Sequence, residues 1–158
     1  VTGLAEGRPL FVRSANDKFN LANFMRAHLY ASVGVLKIGN DILFNEEKIK
    51  VDRITGHGGL FKTKGVGQRV LAAAINSPIS VMETAGEGGA WGIALLASYL
   101  VNNANGLNLA DYLDKVVFAG DAGVEIAPTQ EDVDGFNAYI ENYKAGLAIE
   151  EAAVKAKK

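Results

Sequence analysis

Cysteine is absent from the 158 residues, so neither a disulfide nor a thiolate metal site can form, and a reducing cytoplasm is a compatible home. Histidine is scarce. His28 and His57 alone are too few to suggest a zinc site. Basic excess is missing as well: 16 Lys and Arg against 18 Asp and Glu leave a net charge of −2, which gives no electrostatic case for nucleic acid or an anionic membrane. No apolar run approaches the ~20 residues of a membrane span, and no signal peptide is read. The chain opens on Val1-Thr2-Gly3 without an initiator methionine, which fits simple processing and equally a piece cut from something longer. What is present is a hydrophobic fraction of 49%, enough at this length for a real core. No internal repeat and no Ser/Pro linker divides it, so the expectation is one domain over residues 1–158.

Residues 1–17 read as loop, punctuated by Gly3, Gly7 and Pro9, with Leu10-Phe11-Val12-Arg13 as a short extended run. From Lys18 an amphipathic helix is expected, its apolar face marked by Leu21, Phe24, Met25, Leu29, Val33, Leu36, Leu43 and Phe44. Asn16 or Asp17 would cap it, and Gly34 and Gly39 weaken it or admit close packing. A strand at 51–55 ends sharply at Gly56-His57-Gly58-Gly59. A helix over 63–76 follows, with Val66, Val70, Leu71 and Ala74 inward, stopped by Pro78. A second strand at 79–83 precedes a helix over 86–102 so apolar that burial is expected. Strands alternating with helices at this spacing imply an α/β fold with parallel βαβ connectivity. Asn108 can cap a short helix over 109–117, and a turn at 120–123 leads to Val124-Glu125-Ile126 and Pro128. A last helix starts at a Thr129 cap with Phe136, Tyr139, Ile140, Tyr143 and Leu147 as its inner stripe. The tail, 150–158, reads as a frayed helical end.

Little in this inventory resembles catalytic machinery; the informative stretch is the pair of glycine clusters. Gly56-His57-Gly58-Gly59 sits at the carboxyl end of a strand, where open α/β sheets place ligands. It is neither a dinucleotide fingerprint nor a Walker loop, and on the residues alone a tight turn that needs glycine only for its backbone angles is the more common explanation. Thr63 can cap the next helix or bond a ligand, Lys62 and Lys64 can steer phosphates or simply be solvated, and His57 reads as a turn residue. The second cluster, Ala85-Gly86-Glu87-Gly88-Gly89-Ala90-Trp91-Gly92, can meet an anion through backbone amides or merely let a helix pack closely. Glu87 complements the helix dipole and can brace the neighbouring loop. Trp91 belongs with core or interface.

Taken in order, these segments resemble the C-terminal part of the FGGY carbohydrate kinases. The family's adenosine motif, a hydrophobic strand running into Gly-Gly with a Gln about ten residues on in the next helix, is matched by Ile54-Thr55-Gly56-His57-Gly58-Gly59 and Gln68. Ser77-Pro78-Ile79-Ser80-Val81 matches the next strand, and Glu87-Gly88-Gly89-Ala90-Trp91-Gly92-Ile93-Ala94 the family's Glu-x-x-Ala-x-Gly-x-Ala segment. Pro128-Thr129-Gln130-Glu131 leading to Tyr139 and Tyr143 is similar to its closing Tyr-rich helix. His28, Tyr30 and Leu60 depart from the family's usual residues.

The resemblance implies a ribonuclease H-like/actin-like ATPase fold, here its C-terminal lobe without the first strands, and hence an exposed sheet edge open to a second copy. It implies ATP with Mg²⁺ as cofactors, the Mg²⁺ ligands lying outside this chain, and a ketopentose such as ribulose or xylulose as the substrate. Gly58, Gly59 and Thr63 would line the adenosine pocket, with Gln68 and Glu87 in support. The phosphate loops, sugar contacts and catalytic aspartate would come from a missing N-terminal kinase domain, so this chain alone is expected to be inactive. A cytoplasmic location, with no nucleic acid or membrane partner, goes with this reading. The competing expectation is a non-enzymatic interaction or scaffold domain that keeps the fold.

Overall fold

The computed structural model describes residues 3–51, 53–103, 105–120 and 123–156. Asp52 of the expected first strand, Asp121 and Ala122 of the expected turn, the opening Val1-Thr2 and the last two residues of the tail therefore lie outside the described residues. Helix α1 (Leu21–Asp41) runs into a wider π turn (Ile42–Glu46) and is followed by strand β1 (Ile54–Gly56) and a 3-10 turn (Gly59–Phe61). Next come helix α2 (Val66–Ile75), strand β2 (Ile79–Val81), a second 3-10 turn (Glu83–Glu87) and helix α3 (Gly88–Asn102). A short helix α4 (Leu109–Tyr112) widens into another π turn (Leu113–Val117), and strand β3 (Val124–Ile126) and helix α5 (Gln130–Lys155) close the order. The class is mixed α/β, mostly helical, with a three-stranded sheet.

The chain divides into two compact units. The first gathers the chain up to Lys50, Ala73–Asn76 and the chain from Pro128 onward. Its core lies where α1 meets α5. Gly34 lies at this junction, where a Cβ would stand at ordinary contact distance, 3.4 Å from the Tyr143 ring and 3.6 Å from Ile140. Phe136 and Ile140 are buried as the helical spacing predicts, Val133 joins them, and the Tyr30 ring packs 4.8 Å from Phe136 and 5.2 Å from Tyr139. The Thr129 hydroxyl caps α5 by accepting the Asp132 amide. The tail is no frayed end: α5 stays helical to Lys155.

Three expectations for this unit need correction. The cap of α1 is Asn20, which accepts from the Asn23 amide at 2.8 Å, because Asp17 is already engaged with the Ser14 amide in the turn just ahead. The expected apolar face is covered only near the centre of α1; Val33 is buried while Leu21, Met25 and Leu36, and Leu43 in the π turn beyond, are exposed. Residues 10–13 form no strand. Phe11 joins an aromatic cluster instead, 5.1 Å from Phe24, which in turn meets His28 edge-on at 4.5 Å.

The second unit comprises Val51–Ala72 and Ser77–Ala127 and holds the sheet. β1 pairs in parallel with β2, Ile54 opposite Ile79 and Gly56 opposite Val81, as the βαβ spacing requires. β2 is central and its other edge takes β3 antiparallel, Val81 opposite Val124. The segment Val124-Glu125-Ile126 stands out from the sequence without being assignable to the sheet, because three residues of alternation are too few to declare a strand. Both earlier strands are shorter than expected: β1 is shifted onto Gly56, and β2 ends at Val81 because Glu83 opens a 3-10 turn. On α2, Leu71 is buried as expected but Val66 is exposed, being the first residue of a helix that starts three residues later than the pattern suggested.

The largest correction concerns α3. Its uniformly apolar composition called for burial, yet no residue of it is buried, and Leu100 and Val101 are each 82% exposed. Hydropathy reports what a helix gains by being covered, not whether its own chain supplies the cover. Among the described residues, no helix is long and apolar enough to cross a membrane.

Candidate functional site

Because β1 and β2 are parallel, their carboxyl ends lie side by side, and each runs directly into a glycine-containing turn. The Phe61 ring folds back onto Gly56, the last residue of β1, and would have to move to admit a Cβ there. Gly58 takes φ +100° and ψ −175°, a conformation that L side chains rarely adopt. Its amide donates to the Ala85 carbonyl at 2.8 Å, stitching the first turn to the second. Gly59 opens the 3-10 turn, with the Lys62 amide bonded to its carbonyl at 3.2 Å.

The second turn is fastened to the first at two more points. The Lys62 stem lies along Gly86, whose imagined Cβ would be 3.1 Å from Lys62 Cγ, and the His57 ring covers Gly88 at a comparable 3.2 Å. Lys62 Nζ reaches Glu87 Oε1 at 2.6 Å, with both side chains exposed to solvent. That hydrogen bond, and then the lysine charge, hold the Glu87 carboxyl below the usual carboxylate range. Around the two turns Gly59 and Gly89 border open space, with nothing within 4 Å of where a Cβ would stand. The result is a bare-backbone mouth at the end of a parallel strand pair, which is where a ligand can approach main-chain groups closely.

Of the five residues singled out from the sequence, three meet here: Gly58 and Gly59 directly, and Glu87 through Lys62. Thr63 follows Lys62 and is exposed; its carbonyl accepts the Val66 amide at 3.2 Å. Gln68 is elsewhere in the architecture. Only 4% exposed, it donates from Nε2 to the carbonyls of Ile79 and Val124 at 2.6 Å each, clamping α2 onto β2 and β3. Sequence reasoning missed Lys62 as the partner of Glu87 and the Ala85 carbonyl as an anchor. No pattern signals a pair 25 residues apart across two turns.

Among the described residues, no three carboxylate, imidazole or thiol groups gather into a metal site. The first unit has a cleft of about 580 Å³ walled by Phe11, His28, Tyr139 and Tyr143 among others. It is distant in sequence from every glycine signal. The glycine turns, where strand topology and bare backbone coincide, are the better candidate.

Comparison with known proteins bears on the same stretch. Residues 1–101, which include both glycine turns and most of α3, match the model of the FGGY family of carbohydrate kinases, C-terminal domain. Searches of curated proteins and of solved structures gave no match. That family's domain belongs to the actin-like ATPase folds, with which a mixed α/β unit around a small, partly parallel sheet is compatible. With nearly two thirds of its length in the match, the chain belongs to the FGGY family of carbohydrate kinases.

Proposed function

We propose that this chain is a partial C-terminal, adenosine-binding domain of an ATP-dependent carbohydrate kinase, spanning residues 1–158. The observation that carries it is the Gly58 amide bonded to the Ala85 carbonyl, which holds two open glycine turns together at the ends of parallel strands within the family match. Gly58, Gly59 and Thr63 line the adenosine pocket, Glu87 braces its lip, and Gln68 supports it from beneath.

The open space at Gly59 and Gly89 accommodates a planar base and ribose. ATP supplies the transferable phosphoryl group and Mg²⁺ neutralises its charge; the metal's protein ligands belong to the family's N-terminal kinase domain. A sugar hydroxyl attacks the γ-phosphorus as the bond to the β-phosphate oxygen breaks, ADP departs, and the hydroxyl proton passes to an aspartate of that domain. The contribution of this chain is binding and orientation. A ketopentose such as ribulose or xylulose is the acceptor in this reading, and the chain alone does not turn over ATP.

An amide NMR titration with MgADP tests it. Saturable shifts at Gly58, Gly59 and Thr63 are expected, and Gly59→Gln abolishes them, since its side chain fills the open space without strain on the backbone. A flat titration of the unmodified chain, or a Gly59→Gln variant that binds like it, overturns the assignment.

A further inference from the structure

Lys62 and Glu87 form an ion pair at the lip of the glycine turns, and the pair has two properties that matter together. It is short, 2.6 Å between Nζ and Oε1, and it is exposed on both sides, with 57% and 74% of the side chains accessible. Exposed pairs are weak and exchange partners readily. The turns themselves do not depend on it, because the Gly58 amide and Ala85 carbonyl already join them through the backbone. Lys62 is therefore free to leave Glu87 while the mouth keeps its shape. Its ammonium sits on a flexible four-carbon stem anchored along Gly86, within the same lip.

We infer that Lys62 is a specificity-determining residue that exchanges Glu87 for the phosphate of an incoming nucleotide, so that the lip selects phosphorylated nucleotide over bare nucleoside. This rests on the adenine-nucleotide reading of the site and adds to it a competition between two anions for one lysine. A phosphate carries more charge and more acceptor oxygens than the carboxylate it displaces. A neutral nucleoside offers neither, and leaves the pair closed. Glu87 thus acts as a resident stand-in for the phosphate and raises the charge a ligand must bring.

The test compares MgADP with adenosine on the unmodified chain, Glu87→Gln and Lys62→Met, by amide shifts or calorimetry. In Glu87→Gln the preference for MgADP over adenosine should rise about two- to fivefold, the scale on which an exposed pair operates. In Lys62→Met it should fall, and the double variant should resemble Lys62→Met. Both positions are exposed, so the variants fold, which urea unfolding verifies. If both ligands bind and the preference is the same in all four proteins, the exchange is refuted and the adenosine site stands. If neither ligand binds the unmodified chain, the site itself is refuted, and the exchange with it.

Discussion

Gly58 holds φ +100° with extended ψ, a combination in which a Cβ meets the neighbouring backbone of its own residue even though open space lies around it. Gly58→Ala should therefore cost about 1–3 kcal/mol, read as a lower urea midpoint at unchanged slope. An unchanged midpoint would mean that the turn relaxes freely. Tyr139 makes a second case at this scale. Burial, and then the neighbouring Tyr143, push its phenol from the ordinary 10.0 up to about 12. Below pH 10 the phenol is neutral in folded and unfolded chains alike, and its contribution to stability is whole. As pH rises from 10 to about 12 the unfolded chain releases the proton first, so stability declines through that window. Unfolding midpoints across it should fall less steeply for Tyr139→Phe than for the unmodified chain; equal slopes would contradict the assignment.

Among the elements, α2 is held to the sheet by Gln68, whose two donated bonds reach the carbonyls of Ile79 and Val124. Gln68→Leu keeps the bulk and removes both donors, leaving the buried Ile79 carbonyl and the part-buried Val124 carbonyl short of a partner, and should cost about 1–3 kcal/mol in urea unfolding. A smaller loss would mean that water reaches those carbonyls. What the sequence disclosed at this scale followed local chemistry. Thr129 and Asn108 announced their helices because a cap needs only its own side chain and an amide three residues on. The true cap of α1 was hidden among Asn16, Asp17 and Asn20, all chemically able, and the turn from Ser14 to Asp17 decides between them. The parallel pairing of β1 with β2 was readable from spacing; that of β3 was not, since its three residues pair with a strand 43 to 47 positions away and are too short for their alternation to be decisive. At the site the glycines stood out, whereas the bond between Lys62 and Glu87 exists only once two separate turns are folded side by side.

For the molecule as a whole, the unburied α3 and the β1 edge raise the question of association. We expect a second copy to cover them: an unpaired strand edge offers free amides and carbonyls, and an apolar helix with Ile93, Leu100 and Val101 well over half exposed gains by being covered. Sedimentation velocity over a range of concentrations should show a dimer, and the double variant Leu100→Lys, Val101→Lys should shift it toward monomer with little change in stability. A monomer at every concentration would remove this expectation.

Gln68 and Lys62 fasten the same region by opposite electrical means. The carboxamide of Gln68 is neutral and buried, so dissolved ions have nothing to screen there. The pair between Lys62 and Glu87 stands in solvent, where the Debye length shrinks to about 3 Å in molar salt. Electrolyte should thus act as a selective solvent for the rim, loosening the ion pair while the backbone-joined turns and the floor beneath them keep their register. Ionic strength becomes a dial that separates what the turns contribute to ligand capture from what the sheet contributes to holding them.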